Sequence, residues 1–213
     1  MPRRARGLRR RPRRAFLVAD AAARFAALTA RRRCVFLDRD GTICEEMGYL
    51  NHVSRFQMFP YAAAAVGRLN RAGLPVIVVT NQSGVGRGIF PESLVHEIHE
   101  KMNAELSAQG ARVDGIYFCP HKNEEACGCR KPRPGLLERA AEEHGLELTG
   151  SYVVGDRYVD VEMADGVAGR GILVLTGYGR GEYELHRAKW PRQPHGVAEN
   201  LSVAVDMILE ELS

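Results

Sequence analysis

Two aspartates stand two residues apart in Asp38-Arg39-Asp40-Gly41-Thr42, directly after the apolar run Cys34-Val35-Phe36-Leu37. Two carboxylates in one turn repel each other and are costly unless a cation sits between them. Mg²⁺ suits such a place, because it is hard, prefers oxygen ligands and keeps several waters. Asp156, in Gly155-Asp156-Arg157-Tyr158-Val159-Asp160, offers a further ligand at the end of another apolar run. With a metal present, Asp38 can attack phosphorus as a carboxylate nucleophile. Asp40 is then placed to protonate a leaving alcohol and later to deprotonate water. A transferring phosphoryl group also needs positive charge and hydrogen bonds on its equatorial oxygens. Thr80 and Lys131, the latter in Arg130-Lys131-Pro132, are the candidates. Each piece alone is weak: an Asp-x-Asp turn is commonly a solvated loop, and Thr-Asn after a strand is commonly an Asx-turn. Their order and their common placement at strand ends carry the argument.

A second constellation lies in Cys119-Pro120-His121 and Cys127-Gly128-Cys129, three thiols and an imidazole within eleven residues. Tetrahedral zinc takes such a set as a closed structural site. The intervening Lys122-Asn123-Glu124-Glu125 is polar, so the loop has little core of its own and needs a staple. Because Cys129 runs straight into Arg130 and Lys131, zinc would position the lysine rather than take part in chemistry. Five cysteines, an odd number with three of them clustered, point away from a secreted disulfide framework and toward a metal site in a reducing compartment. Cys34 and Cys44 receive no function.

These groups must be held by elements. Five short β-branched runs recur: 34–38, 76–80, 115–118, 152–155 and 172–176. Their near-continuous apolarity is what strands buried on both faces require. Helical patterns lie between and after them, over 61–71, 91–109, 134–145, 157–168 and 197–211, with Gly73, Gly110 and Gly145 as stops. Alternating strands and helices predict an α/β fold with a doubly wound parallel sheet, Rossmann-like, whose ligands bind beyond the carboxyl ends of the strands. Asp38, Asp40, Thr80, Cys119, His121 and Asp156 all fall there. Residues 181–196, with Trp190, read as a surface loop. Gly84-Val85-Gly86-Arg87-Gly88 reads as a flexible turn without a Walker lysine. His52, His96, His99, His144 and His195 fit no metal spacing and read as surface or packing residues.

The chain of 213 residues is long enough for one α/β domain and too short for two ordinary ones. Residues 1–33 carry twelve of its 30 basic residues and one of its 26 acidic ones, leaving 18 basic against 25 acidic in the remainder. The basic character therefore belongs to an N-terminal extension, 1–33, and a single domain is expected over 34–213. The extension has three readings: a dispensable tail or a start placed too far upstream, an arm for nucleic acid or an anionic surface, or an Arg-rich targeting peptide. No apolar run approaches the ~18 residues of a membrane span.

The segments DRDGT, TNQSG, CRKP and GDRYVD resemble the four motifs of the haloacid dehalogenase-like superfamily, over about residues 34–180. The resemblance implies that Asp38 is the nucleophile and Asp40 the acid/base, with Thr80 and Lys131 steadying the phosphoryl group. It implies Mg²⁺ held by Asp38, the backbone carbonyl of Asp40 and Asp156, and Asp160 supporting the metal or the lysine from behind.

Together with the Cys119, His121, Cys127, Cys129 loop, the motifs resemble two enzyme groups. These are the D-glycero-D-manno-heptose 1,7-bisphosphate 7-phosphatases and the histidinol-phosphate phosphatases, both with a minimal cap and a zinc-binding loop. Three stretches favour the first: Glu45-Glu46-Met47-Gly48-Tyr49-Leu50, Asn81-Gln82-Ser83-Gly84 continuing to Arg87-Gly88, and Arg130. The resemblance accordingly implies substrate contacts from Glu46, Gly48, Tyr49, Asn81, Gln82, Ser83 and Arg130. Glu46 and Met47 depart from the family's more polar loop and leave the preferred anomer open. A polynucleotide 3′-phosphatase belongs to the same superfamily, but the acidic body lacks a basic groove interleaved with aromatics. The heptose resemblance implies a cytoplasmic enzyme acting on a small phosphorylated sugar, on the path to nucleotide-activated heptose for surface (lipopolysaccharide-type) polysaccharide. With no coiled coil evident, a monomer is the default expectation.

Overall fold

The structure is a computed structural model that describes residues 31–213. The basic extension assigned to 1–33 lies, apart from its last three residues, outside the described part.

Among the described residues, β1 (Val35–Leu37), β2 (Val76–Asn81), β3 (Gly115–Cys119), β4 (Tyr152–Gly155), β5 (Arg170–Val174) and β6 (Gly196–Ala198) form one sheet. Its order is β3-β2-β1-β4-β5-β6, with every neighbouring pair parallel. Side chains of a strand alternate between faces, and both faces are covered. Val35, Leu37, Val76, Val78, Val154 and Ile172 pack on one side with α1 (Ala62–Arg71), α3 (Glu92–Ala108) and α7 (Leu201–Glu211). Phe36, Ile77, Val79 and Val153 pack on the other with α4 (Gly135–His144) and α5 (Tyr158–Asp165). That two-sided burial is why the strands read as continuous apolar runs.

The chain moves outward from β1 through β2 to β3, then returns to place β4 on the other side of β1. Such a reversal opens a crevice at the carboxyl ends of the two strands it separates. Leu37 is in register with Val154 of β4 and Val78 of β2, so the residues that follow β1 and β4, Asp38 and Asp156, emerge side by side. Asn81 pairs with Cys119 at the same end of β2 and β3, which sets the cysteine loop beside the phosphoryl-transfer motifs.

The helix stops read at Gly73, Gly110 and Gly145 have φ of 76°, 73° and 63°. The expectation for 181–196 needs correction. The chain there forms α6 (Gly179–His186), a 3-10 turn over Arg187–Lys189, and then enters β6. Trp190 stacks on Tyr158 at 4.4 Å with planes 9° apart, so it covers α5 rather than lying free. Because 196–198 join the sheet, the last helix starts at Leu201, where Asn200 accepts from the N–H groups of Ser202 and Val203 at 2.9 and 3.2 Å. Residues 83–86 are one helical turn, α2 (Ser83–Gly86), rather than a flexible turn. A side chain at Gly84 would run into the ring of Phe90.

Candidate active site

Asp38 leaves β1 with its backbone N–H donating to Val154 O at 2.9 Å, which fixes the start of the motif loop against β4. Its Oδ1 accepts from the Arg39 N–H at 2.7 Å and from Lys131 Nζ at 2.9 Å. Lys131 reaches Asp38 from the loop after the cysteine cluster and also donates to Asp160 Oδ1 at 2.7 Å and Val79 O at 3.3 Å. Burial alone would make this lysine easier to deprotonate, but Asp160 and Asp38 outweigh it and hold the ammonium charged.

Asp160 is spoken for on both oxygens, since its Oδ2 accepts from the Arg157 N–H at 3.3 Å. Its role is thus tied to the lysine and to the first turn of α5. Asp156 differs. Its Oδ2 accepts from the Tyr178 N–H at 2.8 Å, while its buried Oδ1 has no hydrogen-bond partner. The carboxylate is wedged between Gly41 and Gly177, whose φ values are 76° and 54°, and a Cβ on either would collide with it.

Oxygens of Asp38, Asp156 and Asp160 lie within 4.8 Å of one another. Burial, opposed by Lys131 and reinforced by Asp160 and Asp40, pushes the Asp38 carboxyl up to about 7. Burial and the nearby Asp38 push that of Asp156 up to about 9. Three buried carboxylates with one lysine are short of positive charge, and the unpartnered Asp156 oxygen is a vacant ligand. An oxygen-only donor set with that deficit fits a hard divalent cation such as Mg²⁺.

Asp40 is gripped from two sides. Arg39 Nε and Nη2 donate to its Oδ1 and Oδ2 at 3.1 and 2.8 Å, and Gln82 Nε2 donates to Oδ2 at 2.8 Å. Gln82 also donates to Thr80 Oγ1 at 2.9 Å, linking two of the predicted residues. Asn81 brackets the lysine: its Oδ1 accepts from the Lys131 N–H at 3.2 Å.

Glu46, Gly48, Tyr49, Asn81, Gln82, Ser83 and Arg130 all line one cavity of about 750 Å³ together with Asp38, Asp40, Thr80, Lys131, Asp156 and Asp160. Glu46 folds back so that its Oε1 accepts from the Gly48 N–H at 2.5 Å, shaping the loop. Tyr49 meets Phe90 edge-on at 6.4 Å. Arg130 is tied to the cysteine loop, with Nη1 donating to His121 O at 3.2 Å and Nε to Asn123 Oδ1.

Cys119, His121, Cys127 and Cys129 converge. Cys129 Sγ lies 3.4 Å from Cys119 Sγ, 3.5 Å from Cys127 Sγ and 3.3 Å from His121 Nδ1. Tetrahedral bonds of ~2.1–2.3 Å have edges of roughly 3.4–3.8 Å, so the four donors fit zinc.

The sequence reading missed three residues here. Arg39 is buried behind Asp40, and His99 of α3, read only as a surface or packing residue, lies 3.2 Å from its Nη1. The available signal was position: His99 shares the apolar stripe of Val95, Ile98 and Met102. Glu182 of α6 accepts from Arg157 Nε at 3.0 Å and from the Tyr158 N–H at 2.6 Å, bracing the Asp156–Asp160 turn.

The family model for HAD-hydrolase-like proteins matches residues 128–204. Over 197 residues the chain is 38% identical to the D-glycero-D-manno-heptose-1,7-bisphosphate 7-phosphatase of Thermosynechococcus vestitus, covering 85% of this chain and 98% of that one. It is 43% identical over 145 residues to the D-glycero-beta-D-manno-heptose-1,7-bisphosphate 7-phosphatase of Rhodopseudomonas palustris, covering 65% and 81%. Its fold is similar to the crystal structure of D,D-heptose 1,7-bisphosphate phosphatase from B. bronchiseptica complexed with magnesium and phosphate. The TM-score is 0.77 and the identity 32%, over 84% of this chain and 99% of the other. By descent as well as by fold, this chain belongs to the D-glycero-D-manno-heptose-1,7-bisphosphate 7-phosphatase family of haloacid dehalogenase-like hydrolases.

Proposed function

We infer that this chain is a Mg²⁺-dependent phosphatase that removes the 7-phosphate of D-glycero-D-manno-heptose 1,7-bisphosphate through an aspartyl-phosphate on Asp38. The observation that carries the reading is the meeting of Asp38, Lys131, Asp156 and Asp160 at the sheet's switch point, inside the cavity that Arg130 also lines.

Asp38, the backbone carbonyl of Asp40 and Asp156 would hold the Mg²⁺, which when bound supplies positive charge to the phosphoryl oxygens and quiets carboxylate repulsion. A carboxylate oxygen of Asp38 bonds to phosphorus as the bond from phosphorus to the C7 oxygen breaks, and Asp40 gives that oxygen its proton. Asp40 then takes a proton from water as the water oxygen bonds to phosphorus. The Asp38–phosphorus bond breaks, inorganic phosphate leaves, and Asp40 is again protonated. Lys131 and Thr80 steady the phosphoryl oxygens, and Asp160 keeps Lys131 charged and aimed.

Cys119, His121, Cys127 and Cys129 would hold Zn²⁺ as a closed structural site, fixing Arg130 and the approach of Lys131. Arg130 is the candidate for the substrate's second phosphate, since a planar guanidinium suits bidentate recognition of phosphate. Glu46, Gly48, Tyr49, Asn81, Gln82 and Ser83 complete the sugar-binding wall. In this reading the enzyme is a cytoplasmic monomer supplying nucleotide-activated heptose biosynthesis; among the described residues no helix is long and apolar enough to cross a membrane.

The test is phosphate release with Mg²⁺ from both anomers of heptose 1,7-bisphosphate, from histidinol phosphate and from a 3′-phosphorylated oligonucleotide. A kcat/KM at least ~100-fold higher for one heptose anomer is expected. Preference for histidinol phosphate or the oligonucleotide would sink the substrate assignment.

A further inference from the structure

Arg39 stands between the two motif aspartates, yet it is 1% exposed and ranks among the largest fully buried side chains. Its guanidinium forks onto both oxygens of Asp40, through Nε at 3.1 Å and Nη2 at 2.8 Å. The remaining nitrogen, Nη1, meets His99 Nε2 at 3.2 Å. A fork of this kind fixes the plane of a carboxylate as well as its place. A buried ion pair adds little net stability over a well-packed apolar pair, so stability alone gives no reason for it here.

His99 comes from the middle of α3, and 60 residues of chain separate it from Arg39. It is 6% exposed, and its ring meets Phe118 of β3 at 5.8 Å with planes 64° apart. Burial and the neighbouring Arg39 guanidinium push its pKa down to about 3. The ring is therefore neutral, and Nε2 accepts the hydrogen bond that Nη1 donates. The imidazole is a fixed post on a packed helix, and Arg39 is braced between it and Asp40.

We propose that His99 and Arg39 are positioning residues for proton transfer, His99 by fixing the guanidinium and Arg39 by setting the plane and position of the Asp40 carboxyl. The inference rests on the reading of Asp40 as the general acid. Gln82, the third donor to Asp40, keeps a partial hold when His99 is changed, so the loss is graded rather than complete.

The discriminating readout is the leaving group. An alkoxide needs a proton as it departs, whereas p-nitrophenolate leaves without one. Misplacing the acid therefore slows an alkyl phosphate far more than an aryl phosphate, while a general loosening of the fold slows both alike. The experiment measures kcat and KM of full-length wild type, H99L and H99Q with Mg²⁺. The substrates are heptose 1,7-bisphosphate, fructose 1,6-bisphosphate and p-nitrophenyl phosphate.

In H99L, kcat/KM on the alkyl esters is expected to fall on the order of 10–100-fold. On the aryl ester kcat/KM, which covers the steps through departure of the leaving group and not the later attack of water, should fall less than about threefold, because p-nitrophenolate departs without a proton. H99Q, whose amide oxygen can accept from Nη1, should recover most of the alkyl activity. If H99L does not fold, R39K carries the same test, keeping the charge and losing the fork. Equal losses of kcat/KM on alkyl and aryl esters, or none on either, would overturn the proposal. A wild type that cleaves fructose bisphosphate but not the heptose would overturn the substrate reading alone. One that cleaves only the aryl ester would overturn both.

Discussion

Lys131 Nζ lies 2.9 Å from Asp38 Oδ1, with the side chains 2% and 10% exposed. A lysine sealed so deeply keeps its charge because Asp160 and Asp38 surround it. Substituting methionine preserves the stem and removes the charge, leaving Asp160 buried without its partner. Truncating one side of a buried pair costs about 3–5 kcal/mol, so K131M should melt well below wild type and lose nearly all turnover. Thermal melts and phosphate release read both. A K131M protein with wild-type rates would remove Lys131 from the chemistry.

Asp40→Asn keeps the shape of the side chain, and its single oxygen can accept from Arg39 Nη2 and Gln82 while the bond from Arg39 Nε is lost, but it cannot carry the transferable proton. Turnover of a sugar phosphate should drop ~10²–10⁴-fold, the usual range for losing general acid/base help. Since the fold loses no neighbour, circular dichroism should be unchanged. A drop below ~10-fold would mean that another group supplies the proton.

The pH dependence of Mg²⁺ binding follows from Asp38 and Asp156, both raised from an ordinary 3.8, to about 7 and about 9. Between about pH 4 and those values the folded, metal-free chain holds protons that the unfolded chain has lost, so this pair's contribution to stability falls as pH rises. Mg²⁺ must displace those protons, and its affinity should rise by up to roughly tenfold per pH unit for each one displaced. Melting curves with and without Mg²⁺ at about pH 6 and about pH 8.5 should show the larger stabilisation at the higher pH. Equal stabilisation at both, or more at the lower, would contradict this account of the site.

Purified protein should contain about one zinc per chain. C127S should lose it and free the segment that holds Arg130 through His121 O and Asn123. With a charged hydrogen bond contributing about 1.5–3 kcal/mol, KM for the bisphosphate should rise at least ~10-fold. Elemental analysis and kinetics check the two halves together. Full zinc with unchanged KM in C127S would refute the role given to the loop.

The strands β1 to β5 and the residues at their carboxyl ends were legible because their signals are local: each strand is built on a short apolar run and each motif lies within a few residues. What stayed hidden depends on contacts distant in sequence. α6 begins Gly179-Arg180-Gly181 and buries only its first residue, so neither propensity nor periodicity marks it. Contacts from Glu182 to Arg157 and the turn at Tyr158 tie it to α5. β6 is three residues long and joins only the outer edge of β5. The burial of Arg39 drew no reading, because the neutral acceptor that completes its contacts beyond Asp40, His99, is brought by α3 from 60 residues away.

The central claim is that phosphate passes through Asp38. Rapid acid quench of wild type turning over heptose 1,7-bisphosphate with Mg²⁺, followed by peptide mass spectrometry, tests it directly. The account predicts a phosphoryl group on the peptide containing Asp38, formed within one turnover and absent from an Asp38→Asn variant that releases no phosphate. Steady phosphate release with no phosphorylation of that peptide, or turnover persisting in Asp38→Asn, would contradict it.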